Sequence, residues 1–266
     1  VSALRKYWWI ALTSARSAFT YRGDMVSSAL VMFVFLYVFL CLWQLTYSHS
    51  PGRLIASFTL PQMLWYLAMS ESLGPFTSPQ LSSEMDEEIR TGFVALLLTK
   101  PFSYPLCWYA KCLGRRVVRL AITAPLALIT SFLLVGPIAF QPTGLLIFLL
   151  SLPLAITLDF LCQFLIGLSG FWLEDTSGIY RIYTIMCLII GGTVVPITIF
   201  PEQWQPIVKA LPFSNMIGGP ARLFVDPSLP AFITLLARQG SPALVLILLT
   251  SYVYSVALKN INANGG

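Results

Sequence analysis

Between Arg119 and Asp159 the chain carries no charged side chain at all. Residues 120–158 read LAITAPLALITSFLLVGPIAFQPTGLLIFLLSLPLAITL. A helix crosses the hydrocarbon core of a bilayer with about 20 mostly apolar residues, so this stretch is too long for one crossing. GPIAFQPTG, residues 136–144, supplies the break that turns it into two. Water-soluble domains carry roughly 25% charged residues, whereas this chain carries 10%, with 57% hydrophobic residues. The expected class is an all-α integral membrane protein, treated as a single membrane domain over residues 1–266.

The third and fourth spans are expected over 115–136 and 144–173, with Glu174 and Asp175 marking the exit of the fourth into water. Ser27–Thr46 is uncharged and places a first span over 27–47. A second, over 55–77, is interrupted by Glu71 and closed by Gly74, Pro75 and Pro79. Spans over 180–200 and 239–259 complete six, separated by a Pro- and Gly-rich segment over 202–238. Residues 1–24 mix Trp8 and Trp9 with Arg5, Lys6 and Arg16, the composition of an elbow helix lying in the headgroup layer. They lack the compact apolar core and small-residue cleavage site of a secretory signal.

Lys and Arg concentrate in loops that stay cytoplasmic. Of the 16 such residues, only Arg53, Lys209, Arg222 and Arg238 fall on the side opposite the N-terminus. An even number of spans then puts both termini in the cytoplasm. The net charge of +5 follows from this topology and does not indicate a nucleic-acid partner.

The loop over 79–112 holds EEIRTGFVALLLTKP, residues 87–101, the densest charge in the chain. With Ser83 as N-cap and Glu84, Asp86, Glu87 and Glu88 in the first turns, acidic groups favour the positive end of a helix dipole. Pro101 stops the helix. Met85, Ile89, Phe93 and Leu96 form one apolar stripe at helical period. The expected element is an amphipathic helix over 84–100, too short and too charged to span. Gly92 in its middle costs about 1 kcal/mol of helix propensity and signals a close backbone contact or a bend. Such a helix can lie on the membrane or lay its apolar face into a groove of a soluble partner, and periodicity does not separate the two.

No G-x-x-x-x-G-K-[ST] occurs, so the chain lacks the phosphate-cradling loop of Walker type. His49 is the sole histidine, which excludes an H-E-x-x-H metalloprotease. Glu87 and Glu88 do not continue into the Glu-Glu-x-x-x-Arg pattern of prenyl-protein proteases. Cys41, Cys107, Cys112, Cys162 and Cys187 lack zinc-ligand spacing, and no metal site is expected. Glu71 and Asp159 are the acidic residues inside predicted spans. A charge at mid-bilayer costs about 2.5–3.5 kcal/mol on insertion scales, so each faces a bundle interior or a wet cavity. They line a translocation route, carry protons, or make a packing hydrogen bond. Two further readings use this pair, a proton-coupled secondary transporter and an intramembrane enzyme. The first predicts inverted repeats that the sequence does not show, and the second lacks a histidine within the spans.

EEIRTGFVALLLTKPFSYPLCWYAKCLGRR resembles the signature of ABC-2 type transporter permeases, with I-R-x-G followed by L-L-x-[KR]-P. A second block, GFWLEDTSGIYRIYTIMCLIIGGTVVPITIFPEQWQPIVKALPFSNMIGGPARLF, agrees through Pro196, Phe200-Pro201 and Leu211-Pro212-Phe213, as does the final Gly265-Gly266. The resemblance implies an elbow helix, six transmembrane helices, a second permease subunit, the same or homologous, and two separate ATP-binding cassette ATPase subunits. ATP and Mg would be bound by those partner subunits, with no cofactor in this chain. It implies that the loop between spans two and three is a coupling helix placing Glu87, Glu88, Arg90, Gly92, Phe93 and Pro101 against the ATPase. It implies re-entrant helices around Pro201, Pro212, Phe213 and Pro220, export as the direction of transport, and a prokaryotic inner membrane as the location.

Overall fold

The computed structural model describes residues 3–20, 22–49, 54–74, 81–138, 141–173 and 175–264. Arg53, Pro75, Pro79, Glu174 and the Gly265-Gly266 pair of the sequence argument lie outside the described residues. The described chain is helical throughout except for short connections: α1 (Ala3–Thr20), α2 (Arg22–Ser48), α3 (Leu60–Leu73), α4 (Leu81–Arg90), α5 (Phe93–Leu98), α6 (Tyr104–Val135), α7 (Pro142–Leu168), α8 (Ser177–Ile189), α9 (Gln205–Ala210), α10 (Pro212–Met216), α11 (Gly218–Val225) and α12 (Leu229–Asn264).

Helix starts follow local chemistry. At α3, Gln62 Oε1 accepts the Thr59 backbone N–H at 2.9 Å, half of a capping box, with Pro61 in the first turn. Tyr104-Pro105 opens α6 behind Ser103, and Pro142 opens α7 behind Gln141. Gly136, with φ of 78°, ends α6 in a conformation that side chains with a Cβ rarely adopt. Its carbonyl accepts the Trp65 Nε1–H at 3.2 Å, which fixes the end of α6 to α3.

Among the described residues four helices are long and apolar enough to cross a membrane: Leu30–Ser48, Tyr104–Val135, Pro142–Phe171 and Leu229–Lys259. The second and fifth expected spans correspond to α3 and α8, of 14 and 13 residues. At 1.5 Å per residue these are roughly 20 Å long, shorter than a 30 Å hydrocarbon core. After α8 the chain continues through a turn at Gly191-Gly192 rather than as helix to residue 200. By contrast α6 and α12 extend beyond their sequence-expected starts. α6 begins at Tyr104, ahead of residue 115, and α12 at Leu229, ahead of residue 239, with Pro242 inside it.

Two buried apolar clusters divide the bundle. One gathers Trp43, Trp65, Tyr66, Phe148, Leu152, Ile156 and Phe224. The other gathers Met85, Tyr104, Trp108, Leu158, Phe164, Leu168, Tyr183 and Met216. The boundary falls on α7 between Ile156 and Leu158, one residue before Asp159. Outward surfaces of the long helices are apolar: Leu30, Val34, Val38 and Leu45 on α2 and Leu244, Val245, Leu248 and Tyr252 on α12 are all exposed. Large apolar side chains facing outward along whole helices are what a lipid solvent or a second membrane subunit accepts.

α1 packs along the N-terminal half of α6. A Cβ at Gly114 would overlap the Ala11 carbonyl oxygen, so the two backbones touch. Lys6 Nζ donates to the Pro101 carbonyl at 3.3 Å, and the Ser103 backbone N–H donates to the Tyr7 hydroxyl at 3.0 Å. Trp8 and Trp9 remain exposed on its outer face.

Candidate functional site

The amphipathic segment is two helices rather than the single one expected over 84–100. Helix α4 starts at Leu81, so Ser83 is inside it and not its cap, and it ends at Arg90. Gly92 then adopts φ of 71° and ψ of 2°, in the left-handed region, and α5 starts anew at Phe93. A Cβ at Gly92 would meet nothing within 4 Å. The glycine therefore makes a bend and not a close contact; its role is conformational.

The bend divides the apolar stripe. Met85 is fully buried and Ile89 half-buried, while Phe93 and Leu96 are 45% and 54% exposed. Met85 seats on α7 at Gly167, where a Cβ would lie 2.8 Å from its sulfur. One turn on, a Cβ at Gly170 would lie 2.8 Å from Asp86 Oδ1. The pair Gly167 and Gly170 thus makes the bare patch on which α4 rests. Val94 is the one residue of α5 that tucks fully inward.

The charges divide in the same way. Arg115 of α6 grips Glu84 with both terminal guanidinium nitrogens, at 2.5 and 2.7 Å. Glu88 accepts from the Tyr104 hydroxyl at 3.0 Å and pairs with Lys111 at 3.5 Å. Lys111 in turn lies 4.0 Å over the Trp108 ring, a cation–π contact. Glu88, which the resemblance places against the ATPase, is thus held within the chain. Glu87 and Arg90 are exposed, as are Thr91, Gly92, Phe93 and Pro101. Asp86 is buried, with Oδ1 lacking a partner. Burial raises its pKa above the usual carboxylate range, Asp175 adds to this, and Arg90 and the Thr176 backbone N–H oppose it. The exposed Asp175 is shifted the other way, because the Ser177 hydroxyl and backbone N–H both donate to it at the start of α8.

Asp159 of α7 is 7% exposed and sits in a network that spans three helices. Its carboxylate pairs with Arg116 of α6, accepts from the Tyr183 hydroxyl of α8 at 2.6 Å, and accepts from Gln163 Nε2 at 2.9 Å. A cavity of about 20 Å³, room for roughly one water molecule, borders Arg116 and Asp159. Glu71 is not part of that lining; it is buried in α3, with Oε2 lacking a hydrogen-bond partner. The two acids that the secondary-transporter and enzyme readings would use as a pair occupy different surroundings, and Asp159 is engaged by three donors.

Arg116 falls at the start of the expected third span, among the basic residues on the N-terminal side, and its pairing does not show in the sequence. The one signal toward it is helical register: Arg115 and Arg116 project about 100° apart, one toward α4 and the other toward α7. Of the residues expected in the re-entrant segment, Pro201 is exposed, Pro212 opens α10, Phe213 packs its ring 5.9 Å from that of Tyr183, and Pro220 is buried within α11. Among the described residues no three His, Cys, Asp or Glu side chains gather as a metal site.

A family model described as ABC-2 family transporter protein matches residues 32–265, which takes in most of α2 and all of α3 to α12, the α4–α5 element included. The chain belongs to the ABC-2 transporter family. None of the curated proteins matches it. As an ABC-2 family member it is a multi-pass membrane protein and a permease of an ABC transporter, and membership implies association with ABC ATPase subunits.

Proposed function

We propose that this ABC-2 permease is the translocation subunit of an ATP-driven exporter, and that α4–α5 is its docking element for the ATPase. The observation that carries the proposal is the division of that element into an inward and an outward half. Glu84, Met85 and Glu88 fasten it to α6 and α7. Glu87, Arg90, Phe93 and Leu96 remain exposed. A helix held only by the membrane surface needs no such fastening to two spans, whereas a lever that transmits force does. In this reading α2, α3, α6, α7, α8 and α12 are the six spans, with both termini in the cytoplasm of a prokaryotic cell. α9–α11 form the re-entrant segment near the outer face, and a second permease and two ATPase subunits, which bind the ATP and Mg, complete the complex.

The motion delivered by ATP binding would reach α7 as directly as α6, because Met85 rests on Gly167 of α7. Spans three and four then move together, joined midway by the Arg116–Asp159 pair. The test is reversal of the exposed charges, Glu87→Arg with Arg90→Glu, in cells carrying the cognate ATPase. Co-purification of the ATPase is expected to fall by an order of magnitude, with membrane insertion unchanged. Normal co-purification would remove the docking role. The proton-coupled and enzymatic alternatives are disfavoured by the environment of Asp159, whose carboxylate is held by three donors.

A further inference from the structure

A pocket of about 480 Å³ opens between the α9–α11 segment and the first turns of α12. This lies within the usual range for small-ligand sites, about 300–1,000 Å³. Three cations line it, Lys209, Arg222 and Arg238, against the single carboxylate of Asp226. Lys209 Nζ donates to Gln205 at 3.0 Å and Arg222 lies 5.6 Å over the Phe58 ring. Among the described residues none of the three is paired with a carboxylate. Thr198 adds a buried hydroxyl without a hydrogen-bond partner. Cations gathered around one cavity repel one another, and an anion in the middle relieves all three at once. Guanidinium forks match the oxygens of phosphate.

Apolar groups share the lining, among them Phe58, and Ile207 of α9 is exposed nearby in sequence to Lys209. The lining is therefore amphiphilic, with the three cations beside Phe58, Ile197, Leu223 and Leu235. The pocket also sits far from the docking element. α11 meets α7 at Gly144, where a Cβ would lie 2.5 Å from the Phe224 carbonyl, while α4 meets it at Gly167. These points are about 35 Å apart along the helix.

We infer that this pocket binds a phosphate group carried by an amphiphile. Its assignment to the outer side of the membrane rests on the topology proposed above; its binding chemistry does not. The test titrates the detergent-purified full chain with dioctanoyl phosphatidic acid, dioctanoylglycerol and inorganic phosphate, reading thermal stability and bound ligand by native mass spectrometry. Phosphatidic acid is expected to bind and raise the melting temperature, dioctanoylglycerol to do neither. Inorganic phosphate binding more weakly than phosphatidic acid supports an amphiphile as the carrier; binding as tightly would make this a site for free phosphate and overturn that part of the inference. Arg238→Gln, exposed and without a described partner, is expected to fold normally and to weaken binding about tenfold. Lys209→Gln serves as a second variant that leaves the Arg222–Phe58 contact intact. Binding of neither phosphate probe, or binding unchanged in both variants, overturns the inference. So does a variant that loses association with a second permease copy while binding phosphate normally, which would make these cations a subunit contact. Because the assay needs neither ATPase nor transport, its failure leaves the docking proposal standing, and failure of the docking test leaves this one.

Discussion

Helix α7 is held by a glycine contact at each end, and the two contacts differ in kind. At Gly144 the neighbour is backbone, the carbonyl of Phe224. At Gly167 the neighbour is the side chain of Met85, sulfur first. A carbonyl inside a helix cannot yield without moving the helix, whereas a thioether on an unbranched stem adapts readily. One end of the span is thus fixed against α11 and the other rests on a short helix that can shift. Asp159 lies between them, tied to α6 and α8. The arrangement describes a rod clamped at one end, pinned in the middle and pushed at the other.

The largest expected effect comes from pulling the pin. Asp159→Ala leaves Arg116 buried without its carboxylate, a change that typically costs about 3–5 kcal/mol. Detergent-purified protein is expected to lose most of its monodisperse fraction. Arg116→Met combined with Asp159→Leu is expected to recover much of the loss, since apolar replacement of both partners is often neutral. Recovery of fold without transport would show that the pair transmits motion; recovery of both would make it a packing device alone.

An intermediate effect separates the two ends directly. Gly144→Ala is expected to destabilise by about 1–3 kcal/mol through overpacking, read as a lowered melting temperature. Gly167→Ala displaces Met85 and with it α4, so its melting temperature should change less while ATP-driven transport falls. Equal losses of stability at both sites would erase the distinction between a fixed and a movable end.

The smallest effect is a pH dependence of the α4 seat. Asp86 has a raised pKa in the folded chain. Its contribution to stability is therefore fully present below the unfolded value of about 3.9 and is lost as pH rises through the folded value. Corrected amide-exchange protection of residues 81–90 is expected to be higher at the acid end of that window than at pH 7. Arg90 and Asp175 face the same carboxyl with opposite sign, and the Asp86→Asn variant should flatten the dependence. A dependence that survives in Asp86→Asn assigns it to another group.

Hydrophobic run length alone located α2, α7 and the apolar part of α6, because a bilayer solvent enforces it. The starts of α6 and α12 were not legible in the same way. Lys111, Arg115 and Arg116 look like loop charges until Glu88, Glu84 and Asp159 are seen opposite them. A charge with a partner on a neighbouring helix does not mark the water boundary, and single-chain hydropathy has no access to that neighbour. Gly240 and Pro242 likewise lie inside α12 rather than at its edge. The bend at Gly92 was half legible: its propensity cost flagged either a contact or a turn, and only the open space around it decides for the turn. The pairing of Glu84 and Glu88 with α6 was hidden for the same reason as the start of α6.

The backbone contact between Gly114 and Ala11 has a bearing on depth. α1, with Trp8 and Trp9 outward, has the amphiphilic character of a float, and it is joined to α6 two residues from Arg116. Its Lys6 and Tyr7 also hold the segment 101–103 that leads out of α5. If α1 rides at the headgroup level, it sets the waterline of the whole subunit: how far the docking helices stand clear of the lipid, and how deep the buried ion pair is drawn, are both read off one helix that itself crosses nothing.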